Sequence, residues 1–395
     1  MAEKTIVIWG AGKIGRGFVA DVFHAAGYHV VFVDASETLV AQLRHAGCYT
    51  VVRAESPERR QDASIQGYRA LSTAQTDEVA AAIAETDLLA LAVFPQDFAQ
   101  AAQQIARGIL HRRARYPYLP LDIILCTNLA HAGPQFRALL QEALPLEARE
   151  YLDSQVGIVE TLVIRMVTEP PAELRQREPL LVWTNDYPQL MVDRHAFKGE
   201  IPRVPGLRLV NDMRAEEARK LYTYNTFQAA LAYLGAAHGY QLAVDCIADP
   251  EIRAEAEGVL VEASHAVQAE YGFAAGEMGS WVEDVVTQTN NPILGDTVKR
   301  LAADPRRKLG REDRLVGPAL LAHKHRIQPK YLIRAIAAGL GYADPDDPGA
   351  VYVQQQLAVL GLPDGVRQVC GLTAAETDLA EAIVGACQRL PAKEQ

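Results

Sequence analysis

The first half of the chain alternates short apolar runs with segments of helical spacing. Thr5–Trp9 is a β-branched run that predicts a strand, and residues 18–26 follow with helical character. The alternation continues with a strand at residues 29–33 and a helix at 38–45. Two further apolar runs, residues 88–94 and 122–126, each precede a predicted helix, at 97–108 and 134–144. This order implies βαβ units and a parallel sheet covered on both faces. Residues 112–120, rich in Arg, Tyr and Pro, read as a loop. From about residue 155 to 210 the pattern is interrupted by prolines and short strand-like pieces such as residues 180–184, which suits the outer part of the sheet and the crossing to a second domain. Beyond Asp212 strand signals almost vanish. Residues 215–237, 250–271, 329–339 and 374–389 are Ala/Leu/Glu-rich and helical in period, which predicts a helical second domain.

Composition narrows the class. The 395 residues carry 39 Lys+Arg against 49 Asp+Glu, a formal net charge of -10, and 49% are hydrophobic. A chain of this length suits two or three domains with a core that requires no disulfide or metal staple. The acidic balance argues against a general nucleic-acid or anionic-membrane binder. Cys48, Cys126, Cys246, Cys370 and Cys387 are scattered and form no Cys-x-x-Cys pair, so they read as free thiols in a reducing compartment. The apolar residues 5–9 are broken at once by Gly10 and Gly12, unlike a signal peptide, and no run approaches the roughly 20 residues of a membrane helix. A soluble cytoplasmic protein is expected.

The sharpest local motif is Gly10-Ala11-Gly12-Lys13-Ile14-Gly15, directly after the first strand and at the start of the first helix. That context gives each glycine a task. Gly10 permits a tight turn, Gly12 lets backbone approach a pyrophosphate, and Gly15 allows close helix–strand packing. The helix N-terminus then offers free N–H groups and a partial positive charge to phosphates. Asp34 ends the second strand, about 20 residues beyond Gly15, where a carboxylate accepts hydrogen bonds from the adenosine ribose. It would also repel a 2′-phosphate, and Ala35-Ser36 offers no Arg to bind one, so NAD is favoured over NADP. The candidate cofactor set is Gly10, Gly12, Lys13, Ile14, Gly15, Arg16 and Asp34. The fold class expected is α/β, with a Rossmann-type dinucleotide-binding domain over residues 1–205 and a mostly α-helical substrate and catalytic domain over residues 206–395, the active site lying in the cleft between them.

In the second domain, Lys220, Asn225 and Gln228 sit in an otherwise aromatic and aliphatic stretch. On a helix, Asn225 falls about 140° and Gln228 about 80° from Lys220, so the three share one broad face. Two readings stand. A Lys partly withdrawn from water has a lowered pKa suited to a general base, whereas a core helix can also let its Lys snorkel to solvent.

Several ordered segments then carry a resemblance. They are GAGKIGRGF from Gly10, CTNL from Cys126, FKGEIPRVPGL from Phe197, RKLYTYNT from Arg219, AYLG from Ala232, NPILGDTVKRL from Asn291 and RKLGREDRL from Arg307. Together, and nearly end to end, the chain resembles the polyol-specific long-chain dehydrogenases, and within them the sugar-phosphate branch. The resemblance implies metal-independent hydride transfer between a polyol and NAD. It places the family's acid/base Lys on Lys220, its oxyanion-polarising Asn on Asn225, and a second substrate Asn on Asn128. Neither His-Glu-x-x-His nor paired cysteines offer a zinc site, so no metal is expected. The implied substrate pair is mannitol 1-phosphate and fructose 6-phosphate.

Departures are also visible. The family His is Gln228, which cannot titrate. The Glu before Asn128 is Thr127, the family Asp-Arg pair appears as Ile164-Arg165, and Lys13 replaces an Asn, either assisting the pyrophosphate or pointing to solvent. Arg306, Arg307, Lys308 and Arg314 form a basic cluster that reads either as a phosphate clamp, with Lys198 and Arg300 as contributors, or as a solvated charged surface. His131, His195 and His238 show no partner spacing, and Cys126 has no neighbouring His to make it a nucleophile. Three functions follow: the mannitol 1-phosphate reaction; the same chemistry on another polyol phosphate, a free polyol or a sugar acid read by Gln228; or a non-catalytic NAD-binding sensor. Retention of Lys220, Asn225 and Asn128 together argues against the third.

Overall fold

The structure is a computed structural model that describes residues 4–56, 59–129 and 131–389. It divides into two compact units, Met1–Arg214 and Ala215–Gln395.

In the first unit the described strands are β1 (Thr5–Trp9), β2 (His29–Asp34), β3 (Cys48–Ala54), β4 (Arg60–Gln66), β5 (Arg69–Ser72), β6 (Leu88–Leu91), β7 (Leu121–Leu125), β8 (Val156–Leu162), β9 (Val167–Thr168), β10 (Val182–Asn185), β11 (Leu190–Asp193) and β12 (Leu207–Val210). The main sheet runs β12-β11-β8-β7-β6-β1-β2-β5, and a smaller one runs β4-β3-β10-β9. From β5 to β8 all neighbours in the main sheet are parallel, and only the β8–β11 pair is antiparallel. Alternate residues of each strand point to opposite faces. Ile6, Ile8, Val30 and Phe32 therefore pack under Phe18 and Phe23 on one side. Val7, Trp9, Val31, Val33, Leu89 and Leu91 pack under Ile83, Ile105 and Ile109 on the other. Burial on both faces is why these strands read as unbroken apolar runs.

Two expectations differ from the structure. The helix predicted to stop at residue 108 runs over Phe98–Arg115, so residues 112–115 are helical rather than part of a loop. The cause is tertiary: Arg112 is buried and donates to the carbonyls of Ala84 (2.8 Å) and Pro120 (2.6 Å) and to Asp87 (2.5 Å). The division between units falls after Arg214, whereas the expected boundary follows residue 205; β12 pairs in register with β11 and so belongs with the sheet.

The second unit has no strand among its described residues. Its long helix Pro250–Tyr271 starts where Asp249 caps the N–H groups of Glu251 and Ile252, with Pro250 at the first helical position, and stops at Gly272 in the left-handed region. It packs against the helices Asn225–Ala237, Val316–Lys324 and Lys330–Leu340. Among the described residues no helix is long and apolar enough to cross a membrane.

Candidate active site

At the carboxyl end of β1 the chain turns through Gly10, whose φ of 100° is costly for any residue with a side chain. A Cβ on Gly15 would stand 1.9 Å from the carbonyl oxygen of Gly10, so this glycine is what lets the helix approach the strand. A Cβ on Gly12 would meet nothing within 4 Å, which leaves the open approach a phosphate requires. The helix begins at Lys13 and passes at once into a π turn, Gly15–Val19, of the kind that often marks functional sites. Asp34 closes the arrangement: one carboxylate oxygen accepts from the N–H of Ala11 at 2.7 Å and the other from Ser36 at 2.8 Å. A carboxylate has about four acceptor positions, so two remain for ribose hydroxyls. These residues fit an adenine dinucleotide.

The other members of the cofactor set behave differently. Lys13 pairs with Glu169 at 2.6 Å, both about half exposed. Arg16 is turned inward, donating to the carbonyls of Ala11 (2.7 Å) and Leu180 (2.6 Å). Ile14 packs against the core. Asn128 is exposed, three residues beyond the last residue of β7, at the ligand-gathering end of the sheet. Nearby Cys126 is buried, which pushes its thiol up to about 12 and removes it as a nucleophile.

Sequence reasoning missed a buried ion network beneath the nucleotide helix. Asp21 is 1% exposed and meets Arg165 at 2.5 Å and Arg53 at 2.5 Å. Arg165 also donates to the carbonyls of Gly17 and Tyr187 and lies 4.5 Å over the Phe18 ring. An acid inside the apolar stretch from Phe18 to Phe23 was the available signal; its partners are distant in sequence.

In the second unit the helix Met213–Arg219 runs directly into a second π turn, Lys220–Tyr224, and then into Asn225–Ala237. The extra residue in that turn changes the angular relation of Lys220 to Asn225 from that of a regular helix. The turn is anchored from behind. Arg219 is completely buried between the rings of Phe273 and Trp281, each at 4.5 Å, and pairs with Glu216 and with Glu277. Trp281 donates to the Thr223 hydroxyl at 2.7 Å, and that hydroxyl donates to the Arg219 carbonyl.

Lys220 is only partly exposed, and its pKa falls to about 8. Burial is the first cause and the Arg314 cation the second, while Glu217 opposes them. Arg314 is held to the first turn of the helix that follows through its carbonyl, which accepts from Thr226. Asn225 is half-buried, and the Nε2 of Gln228 is buried without a hydrogen-bond partner.

The basic cluster is dispersed in its contacts. Arg306 lies over the Tyr352 ring at 4.1 Å, and Arg307 bonds to Asp304 (2.9 Å) and Asp313 (3.2 Å). Lys308 is buried and donates to the carbonyl of Leu301 at 2.6 Å; burial, then Arg314 and Arg307, lower its pKa to about 7. Arg314 bonds to Asp313 at 2.7 Å, and Arg300 to Asp296. Lys198 enters through its backbone N–H, which Asp122 accepts.

Sequence profiles of known families match almost the whole of this arrangement. Residues 4–206 match the mannitol dehydrogenase Rossmann domain and residues 212–366 the mannitol dehydrogenase C-terminal domain. The chain belongs to the mannitol dehydrogenase family. As a member it is an oxidoreductase of the polyol dehydrogenase class. Solved structures agree at the level of the fold. A D-sorbitol dehydrogenase in substrate-free form is 16% identical with a TM-score of 0.81, the match covering 98% of this chain and 93% of that one. The Pseudomonas fluorescens mannitol 2-dehydrogenase, in a ternary complex with NAD and D-mannitol, is 16% identical with a TM-score of 0.70, covering 98% and 91%.

Proposed function

We propose that the protein transfers hydride between NAD and the carbinol carbon of a polyol or polyol phosphate, with mannitol 1-phosphate and fructose 6-phosphate as the substrate pair. The observation that carries this reading is Lys220, an amine whose pKa near 8 lets it take and return a proton close to neutral pH. NAD, when bound, supplies the hydride acceptor. The glycine turn from Gly10 to Gly15 and the Asp34 carboxylate hold it, and Asp34 selects against a 2′-phosphate. In oxidation Lys220 removes the proton of the substrate hydroxyl. The Asn225 amide donates to the same oxygen as its negative charge develops, which stabilises the transition state more than the ground state. Asn128 is the substrate-facing amide of the nucleotide unit. Of the four basic candidates, Arg314 is the one assigned to the reacting end: its carbonyl accepts from Thr226, the residue after Asn225, and its cation lowers the Lys220 pKa.

The unpartnered Nε2 of Gln228 favours a second reading, in which a substrate group of another polyol, a polyol phosphate or a sugar acid accepts from it. Gln228→His separates the two. A rise of orders of magnitude in mannitol 1-phosphate turnover would favour the second. Lys220→Ala tests the shared mechanism: turnover should fall by about 10²–10⁴-fold with NADH binding intact. Unimpaired turnover would remove Lys220 from it.

A further inference from the structure

The strand order places β1 between β2 and β6, and the chain leaves β1 toward β2 on one side before crossing to β6 on the other. The loops after β1 and β6 therefore flank the point where the winding reverses, which is where ligands of open α/β sheets lie. Trp9 and Leu91 are register partners at the ends of these strands. A Cβ on Gly10 would sit 2.4 Å from the Ala92 carbonyl oxygen and 3.0 Å from the Val93 side chain, so the two loops run in direct contact. Exposure rises along the second loop, and its tip is Phe94, 71% exposed. A phenyl ring left in water at that position forgoes the burial such a side chain ordinarily gains. The next residues turn back into the 3-10 turn Pro95–Asp97 and the buried start of the helix at Phe98.

We propose that Phe94 is a cofactor-contacting residue whose ring forms the platform for the nicotinamide end of the dinucleotide. The inference rests on the NAD reading above. Asp34, at the end of β2, fixes the adenosine ribose on one side of β1, and the glycine turn holds the pyrophosphate over β1 itself. The remaining half of the ligand then extends over β6, toward Phe94. The adenine half lies on the opposite side and does not reach it.

The test compares NADH with ADP-ribose, which lacks the nicotinamide, on the full-length protein. Phe94→Ala should raise the Kd for NADH about five- to tenfold and leave that for ADP-ribose within about twofold. Phe94→Tyr, which keeps the ring, should stay near the wild type. In Phe94→Trp, the emission gained over the wild type should be quenched by NADH and not by ADP-ribose. An unchanged NADH Kd in Phe94→Ala, or equal weakening of both ligands, would overturn the assignment. A wild-type protein that binds neither ligand would instead overturn the NAD reading on which it depends.

Discussion

Arg314→Met offers the sharpest test of how the fold tunes Lys220. An ordinary lysine is deprotonated in about three molecules per ten thousand at pH 7, whereas an amine of pKa about 8 is deprotonated in roughly one in ten. The site thus multiplies the available base about 300-fold. Burial is the larger cause, so removing the Arg314 cation should return only part of the drop. The assay is kcat/KM for polyol oxidation against pH, at saturating NAD and normalised to its alkaline plateau. Oxidation requires the neutral amine, so the wild-type profile should rise through about pH 8. In Arg314→Met the same limb should move up, to between about 8 and 9, costing up to about tenfold at pH 7 and nothing in the normalised plateau. Glu217→Gln should move it the other way, since Glu217 raises the pKa. Normalisation separates this shift from any direct loss of substrate affinity. An acid limb that stays near pH 8 in both variants, or one that moves down in Arg314→Met, would refute the electrostatic reasoning.

Two further predictions concern the nucleotide unit. Asp34→Ala removes the carboxylate that repels a 2′-phosphate, so the ratio of NADP to NAD affinity, measured by titrating both reduced cofactors, should rise. Asp21→Asn leaves Arg165, 4% exposed, without its compensating charge. Urea denaturation should then show a loss of about 3–5 kcal/mol, as expected for breaking a buried pair. Arg53→Met should cost less, because Arg53 is partly exposed and Asp21 keeps its other partner.

Much of the architecture is legible along the chain because it depends on local periodicity. The strand Thr5–Trp9 and the helix Pro250–Tyr271 fall where the pattern places them, the latter between an Asp-Pro cap and a glycine. The glycine turn is legible for the same reason, as three glycines act within a few residues of one another. What escaped depends on partners far away in sequence. The hairpin of β3 and β4 reads poorly because the outward residues of β4 are exposed and polar. Arg112 looks like loop chemistry until the carbonyls it serves are known. The two π turns have no residue signature, and the Arg219 anchor depends on Phe273 and Trp281, more than 50 residues on. Lys308 shows a different limit, since its partner is only seven residues away: within a run of basic residues nothing distinguishes the one whose ammonium is spent on the Leu301 carbonyl.

The most direct measurement of the central claim is NADH consumption with fructose 6-phosphate, fructose and a panel of keto-sugar acids, at saturating NADH, with NADH binding followed in parallel by its fluorescence. Turnover is predicted with fructose 6-phosphate, well above that with unphosphorylated fructose. Intact NADH binding with no ketose or keto acid reduced would contradict hydride transfer as the function of this site.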